Sequence, residues 1–196
     1  MVPQMIYVLG GMGAGKTTYI EQVLKPKLGS NFQFILFDCI MKALPSFPKA
    51  NEPVISWPPH LRSRCYLEAM EISTLLIADA VARKQSFVIE GTGMNLQSNL
   101  EDMKKQQSLG YKIILHHIHC LPDFAATRIE IRNLSGIENR KVLPKLAFET
   151  YARLQENISA YKAICDEYVE IIQEAQVQNK FSTHHTMPDH DRLVQC

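Results

Sequence analysis

Apolar residues fall along this chain in short continuous runs, separated by longer stretches where apolar and charged positions mix. Met5-Ile6-Tyr7-Val8-Leu9 is the first such run, ended by glycine, and a run of this kind fits a parallel strand buried on both faces. Residues 17–28 follow with helical character, and residues 32–37 form a second apolar run closed by Asp38. Between 43 and 60 the sequence carries Pro45, Pro48, Pro53, Pro58 and Pro59, which predicts a long loop with at most a turn of helix. Residues 61–84 place Leu67, Met70, Leu75, Ile77 and Val81 among charges at helix-like spacing.

Phe87-Val88-Ile89-Glu90 predicts a third strand, residues 96–109 a helix closed by Gly110, and residues 112–119 a fourth strand. Pro122 suits the first turn of the next helix. A loop around Ser135-Gly136 leads to a long helix over 144–163, and residues 168–172 predict a last short strand. Strands and helices alternate throughout, the pattern of an α/β fold in which a central parallel sheet carries helices on both faces. The first strand is expected in the middle of that sheet. The expected organisation is one domain over residues 1–175, with a small lid around 133–143, followed by a polar tail over 176–196.

A length of 196 residues is enough to bury a core without disulfide or metal staples. The formal net charge is only +1, so no global field favours a nucleic acid or an acidic membrane, and neither is expected as a partner. Five cysteines without paired spacing predict free thiols in a reducing compartment. No apolar run approaches a membrane span and no leader pattern precedes the first strand, so the expected location is cytoplasmic.

The chemistry is concentrated where the first strand ends. Gly10-Gly11-Met12-Gly13-Ala14-Gly15-Lys16-Thr17 satisfies G-x-x-x-x-G-K-[ST] between an apolar strand and a helix, the setting that a phosphate-binding P-loop requires. Glycines let backbone N–H groups wrap phosphates, and a helix N-terminus adds positive partial charge. ATP and Mg²⁺ are therefore the expected ligands. Lys16 would reach the β- and γ-phosphates, Thr17 would offer its hydroxyl to the metal, and Thr18 would complete the nucleotide contacts. The fold expected is that of the P-loop NTPases.

Ligands of open parallel sheets lie beyond the carboxyl ends of the strands, where Asp38 and Glu90 are both expected. Asp38 suits a general base for an acceptor hydroxyl, with a helix-cap or turn role as the alternative. Glu90 stands where it would orient Mg²⁺ or bind substrate, with a structural ion pair as the alternative. Arg128 and Arg132, four residues apart, share a helix face, and Arg140 follows across the Ser-Gly loop. They are candidates to stabilise charge on a transferred phosphoryl group, against the alternative of a solvated face paired with Glu130 and Glu138. His116, His117 and His119 alternate across a strand and do not complete a tetrahedral metal site. Trp57 is read as a loop anchor or a wall of the acceptor pocket.

Taken together, the P-loop, Asp38 followed by Pro45-Ser46-Phe47, the run Val88-Ile89-Glu90-Gly91-Thr92-Gly93, the Gly110-Tyr111 turn, Pro122, and Arg132 and Arg140 in order resemble the zeta toxin family of kinases. The resemblance covers about residues 5–163. It implies transfer of a phosphoryl group from ATP to a hydroxyl of a nucleotide sugar, UDP-N-acetylglucosamine, and a small antitoxin protein as a potential partner. By resemblance Lys16 and Thr17 serve the nucleotide, Asp38 is the base, Glu90 and Thr92 contact substrate, and Arg132 and Arg140 stabilise charge, with Arg128 the alternative to Arg132. Two positions depart from the family pattern. Met94 stands where an arginine is common, and Thr74 where an acidic residue is expected, both on the acceptor side. A kinase of a nucleoside, sugar or antibiotic, or a nucleotide switch without an acceptor, are the other readings.

Overall fold

The structure is a computed structural model that describes residues 2–47, 59–135 and 142–173. Its centre is a five-stranded parallel sheet in the order β2-β3-β1-β4-β5. The strands are β1 (Gln4–Leu9), β2 (Phe32–Ile35), β3 (Ser86–Gly91), β4 (Lys112–Cys120) and β5 (Glu167–Gln173). As the apolar runs predict, β1 lies in the middle, flanked by β3 and β4.

Alternation along β1 splits its side chains between two cores. Ile6 and Val8 join Ile114, Ile118 and Val88 beneath α1 (Lys16–Tyr19) and α6 (Pro122–Ser135). Met5, Tyr7 and Leu9 join Phe87, Ile113 and Leu115 on the opposite face, beneath α4 (Pro59–Ala82), α5 (Leu96–Ser108) and α7 (Lys145–Ile164). Phe87 and Ile113 are completely buried, and each such side chain contributes about 1.5–3 kcal/mol through removal from water.

Three local features differ from the sequence expectation. The first helix is not uniform: α1 passes through a π-helical stretch, Ile20–Leu24, before α2 (Lys25–Leu28). Pro26 explains the widening, because it has no N–H to give the carbonyl four residues back and its ring crowds that position. The second strand stops at Ile35, and Asp38 lies in the first turn of a short helix, α3 (Phe37–Ala43). Phe37, Ile40, Met41 and Leu44 are spaced helically and pack on Cys65 and Ala69 of α4, so tertiary packing overrides the apolar run. The helix α4 begins at Pro59, inside the span read as a loop, and proline suits a first helical position.

Cys39, Cys65, Cys120 and Cys165 are free thiols, and no described helix is long and apolar enough to cross a membrane. Most of the expected lid, Trp57 and the tail over 176–196 lie outside the described residues.

Candidate active site

The loop between β1 and α1 is fixed from three sides. Its start is tied to the neighbouring strand by Gly10 N–H donating to the Gly91 carbonyl at 3.2 Å. Its middle is held by Met12 N–H donating to Thr150 Oγ1 of α7 at 2.9 Å. Its third side is α6: at Gly13, with φ +76°, a Cβ would sit 2.4 Å from the Ala125 carbonyl oxygen. No side chain larger than hydrogen fits there without moving backbone.

The loop ends at Gly15, the N-cap of α1, with no side-chain cap and no acidic residue in the first turn. The first N–H groups of the helix are therefore not shielded by a protein anion, as suits a phosphate site. Lys16 Nζ donates to the carbonyls of Gly10 at 2.8 Å and Gly11 at 3.1 Å, which holds its charge over the mouth of the loop. Thr17 and Thr18 follow on the exposed side of the helix.

Glu90 projects from the end of β3 beside this loop, with Val8 as its register partner on β1. Burial pushes its carboxyl above the usual range, and the Asp38 charge pushes in the same direction. Lys16, Lys42 and a hydrogen bond from the Thr17 side chain pull it back. Three of these groups, Lys16, Thr17 and Asp38, are the ones that the sequence assigns to the nucleotide and the base; Lys42 of α3 is an addition. Asp38 reaches this neighbourhood from α3 rather than from a strand end, and it is half-buried. A Thr17 hydroxyl against a carboxylate fits one Mg²⁺, an ion held by one or two protein groups, phosphates and water. Among the described residues no group of three or more His, Cys, Asp or Glu side chains converges as a metal cage.

The arginines separate. Arg128 Nη1 lies 3.5 Å from the Ala14 carbonyl, and its Nη2 donates to Gln173 Oε1 at 3.4 Å, so this side chain spans the glycine loop and the end of β5. Arg132 is half-buried one turn further along α6. Arg140 lies outside the described residues. The two ends of the segment that contains it are joined by Asn133, whose side chain bonds both the N–H and the carbonyl of Val142, at 3.1 and 2.7 Å.

Thr92 is half-buried in the turn after β3, next to a network that sequence reading missed. The Gly93 carbonyl accepts from Asn157 Nδ2 at 2.9 Å and from Tyr161 Oη at 3.2 Å, and Asn99 Nδ2 donates to that same Tyr161 oxygen at 2.7 Å. Thr150, Asn157 and Tyr161 belong to the buried stripe of α7. The signal was present: Thr150 and Asn157 interrupt a helix face otherwise made of Ala147, Leu154 and Tyr161, where a polar residue needs a partner.

The histidines of β4 are absorbed by packing. His116 shares a hydrogen bond with the Tyr19 hydroxyl at 2.9 Å, and burial lowers its pKa to about 4. His117 is buried against Tyr168 Oη at 2.8 Å and Glu170 Oε1 at 3.3 Å.

Comparison with known proteins adds to this geometry. The zeta toxin family model matches residues 1–186. No curated protein matches the chain. Among solved structures, one from the PezAT chromosomal toxin–antitoxin system of Streptococcus pneumoniae superposes with a TM-score of 0.63 at 19% identity, covering 87% of this chain and 67% of that one. The AvrRxo1-ORF1:AvrRxo1-ORF2 complex gives a TM-score of 0.63 at 12% identity over 88% of this chain and 55% of the other. The Pnkp1/Rnl/Hen1 RNA repair complex gives 0.61 at 15% identity over 81% and 46%. This chain therefore spans about half the length of those last two, and at such identities the likeness is one of fold: that of the P-loop kinases.

Proposed function

The chain belongs to the zeta toxin family, and from that premise we propose that it is an ATP-dependent kinase which phosphorylates a hydroxyl of a nucleotide sugar such as UDP-N-acetylglucosamine. The observation that carries this reading is the P-loop at the carboxyl end of β1, with Lys16 Nζ held over its mouth by the Gly10 and Gly11 carbonyls and Glu90 on the neighbouring strand beside it. Bound Mg²⁺ would supply charge neutralisation between the phosphates, with Thr17 and Glu90 as the protein groups facing it.

The roles of the side chains follow from their chemistry. Lys16 exchanges its loop carbonyls for phosphate oxygens. Asp38 accepts the proton of the acceptor hydroxyl as that oxygen bonds to the γ-phosphorus and the bond to the ADP oxygen breaks. Arg128, already against the loop, is placed to neutralise charge on the nucleotide side, and Arg132 and Arg140 are the further candidates for the transferred group. A small antitoxin protein is the partner proposed on family grounds; one solved relative comes from a toxin–antitoxin system.

A second reading, a kinase of another hydroxyl compound, draws on the acceptor side. Met94 is exposed where the family commonly has arginine, and the Thr74 hydroxyl is spent on the Met70 carbonyl of its own helix at 2.9 Å. The experiment is mass spectrometry of the protein incubated with MgATP and UDP-N-acetylglucosamine, and in parallel with a metabolite extract. A product heavier by one phosphoryl group is expected from the sugar nucleotide. Phosphorylation of a different extract component selects the second reading, and ADP release with no phosphorylated product selects a nucleotide switch.

A further inference from the structure

One face of α7 touches both loops between which transfer would take place. Thr150 Oγ1 accepts from the Met12 amide of the glycine loop and its hydroxyl donates to the Leu146 carbonyl at 2.6 Å. Two turns on, Asn157 and Tyr161 both donate to the Gly93 carbonyl, and Asn157 Nδ2 also lies 3.4 Å from the Met94 carbonyl. Leu154 fills the space between: a Cβ on Gly93, where φ is +71°, would come within 2.5 Å of its Cδ1. All four side chains are buried, Thr150 at 1% exposure and Tyr161 at 0%, and the two bonds to the Gly93 carbonyl are buried with them.

We propose that α7 is the ruler of this enzyme: Thr150 is a positioning residue for the nucleotide loop, and Asn157 with Tyr161 positions the acceptor loop that carries Thr92 and Met94. The inference rests on the kinase reading above and adds residues that act through the loops, not on the reacting atoms. The physical reason is rigidity. A helix does not stretch, so two buried hydrogen-bonded contacts seven residues apart fix the spacing of the loops they hold. The other ties of these loops lie elsewhere, Gly10 on the Gly91 carbonyl and Gly13 on α6, so the hold on Met12 comes from Thr150 and the hold on Gly93 from Asn157 and Tyr161.

The test separates the two ends of the ruler. Thr150→Val keeps the shape and removes the acceptor for the Met12 N–H, whereas Thr150→Ser retains it. Asn157→Leu removes one donor to Gly93, and Tyr161→Phe removes the other if Asn157→Leu does not fold. Four quantities are measured: the Kd of a fluorescent ATP analogue with Mg²⁺, the KM and kcat with UDP-N-acetylglucosamine as the acceptor probe, and hydrogen exchange of the amides over 91–95. Thr150→Val is expected to weaken nucleotide binding by about 3- to 10-fold and leave acceptor KM within about twofold, with Thr150→Ser restoring the affinity. Asn157→Leu or Tyr161→Phe is expected to raise acceptor KM by about 3- to 10-fold and speed exchange over 91–95, with nucleotide Kd within about twofold of wild type. The proposal is overturned if either substitution moves both sides alike or neither, or if serine fails to rescue Thr150. Failure of the wild-type protein to phosphorylate the probe would count against the acceptor named above. The nucleotide affinities and the exchange rates would still decide the positioning roles.

Discussion

Two side chains whose neighbours are charged or buried carry the clearest consequences. Asp38 stands close enough to Glu90 to raise its pKa, so two carboxylates share one mouth with the cationic Lys16. If Asp38 takes the acceptor's proton, Asp38→Asn should bind MgATP normally and slow transfer by about 10²- to 10⁴-fold at every Mg²⁺ concentration. A rate unchanged, or restored by added metal, would remove Asp38 from that role. His116 gives a prediction of another kind. Its pKa is lowered to about 4, first by burial and also by Lys27, against the opposing charge of Glu167. A histidine whose folded pKa is depressed stabilises the protein above its unfolded value, near 6.5, and that contribution is lost as pH falls toward 4. Urea unfolding of the wild type should therefore show a loss of about 1–3 kcal/mol from this group between pH 7 and pH 4, discounted for its half-burial. His116→Phe should flatten that part of the pH dependence, and an identical slope in both proteins would refute the assignment.

Among the elements, the glycine loop and α6 are closely fitted at Gly13. The Gly13 position is closed by backbone, the Ala125 carbonyl, and also by Ile129 Cγ1 at 3.0 Å, so the neighbours cannot turn away as a long side chain would. Gly13→Ala therefore combines a positive φ with a collision and should destabilise the protein by about 2–4 kcal/mol. For a domain of this size that is a fall in melting temperature of roughly 5–10 °C, measurable without any ligand. A melting temperature equal to wild type would mean that the loop and α6 are less closely packed than described. The glycine motif was legible in the sequence because its spacing is local. Its clasp by Thr150 was not, since the partner lies 138 residues away and a lone threonine in a helix carries no motif.

For the molecule as a whole, ligand binding and stability are linked. A nucleotide that binds only the folded chain stabilises it by about 2.7 kcal/mol at a hundred times its Kd, which should raise the melting temperature by roughly 5–10 °C. MgATP should produce that shift, and Lys16→Ala should abolish it while the ligand-free protein still unfolds cooperatively, because the lysine bonds the loop carbonyls and contributes little to either core. An equal shift in both proteins would place the nucleotide elsewhere.

Much of this arrangement is written in one dimension. Buried parallel strands need uninterrupted apolar runs and phosphate loops need fixed glycine spacing, so the alternation of strands and helices, the central place of β1 and the P-loop could all be read directly. What tertiary structure decided is where local signals compete or have none. The apolar run over 32–37 reads as a strand closed by Asp38, but the strand stops at Ile35 and packing of Phe37, Ile40, Met41 and Leu44 against Cys65 and Ala69 selects a helix, which changes how Asp38 enters the site. Arg128 and Arg132 are alike by spacing, yet only the crossing of α6 over the glycine loop sets Arg128 against Ala14. The buried polar stripe of α7 has meaning only once the loops it holds are in place, because a hydrogen bond between residues 64 to 138 positions apart leaves no periodicity for a sequence to show.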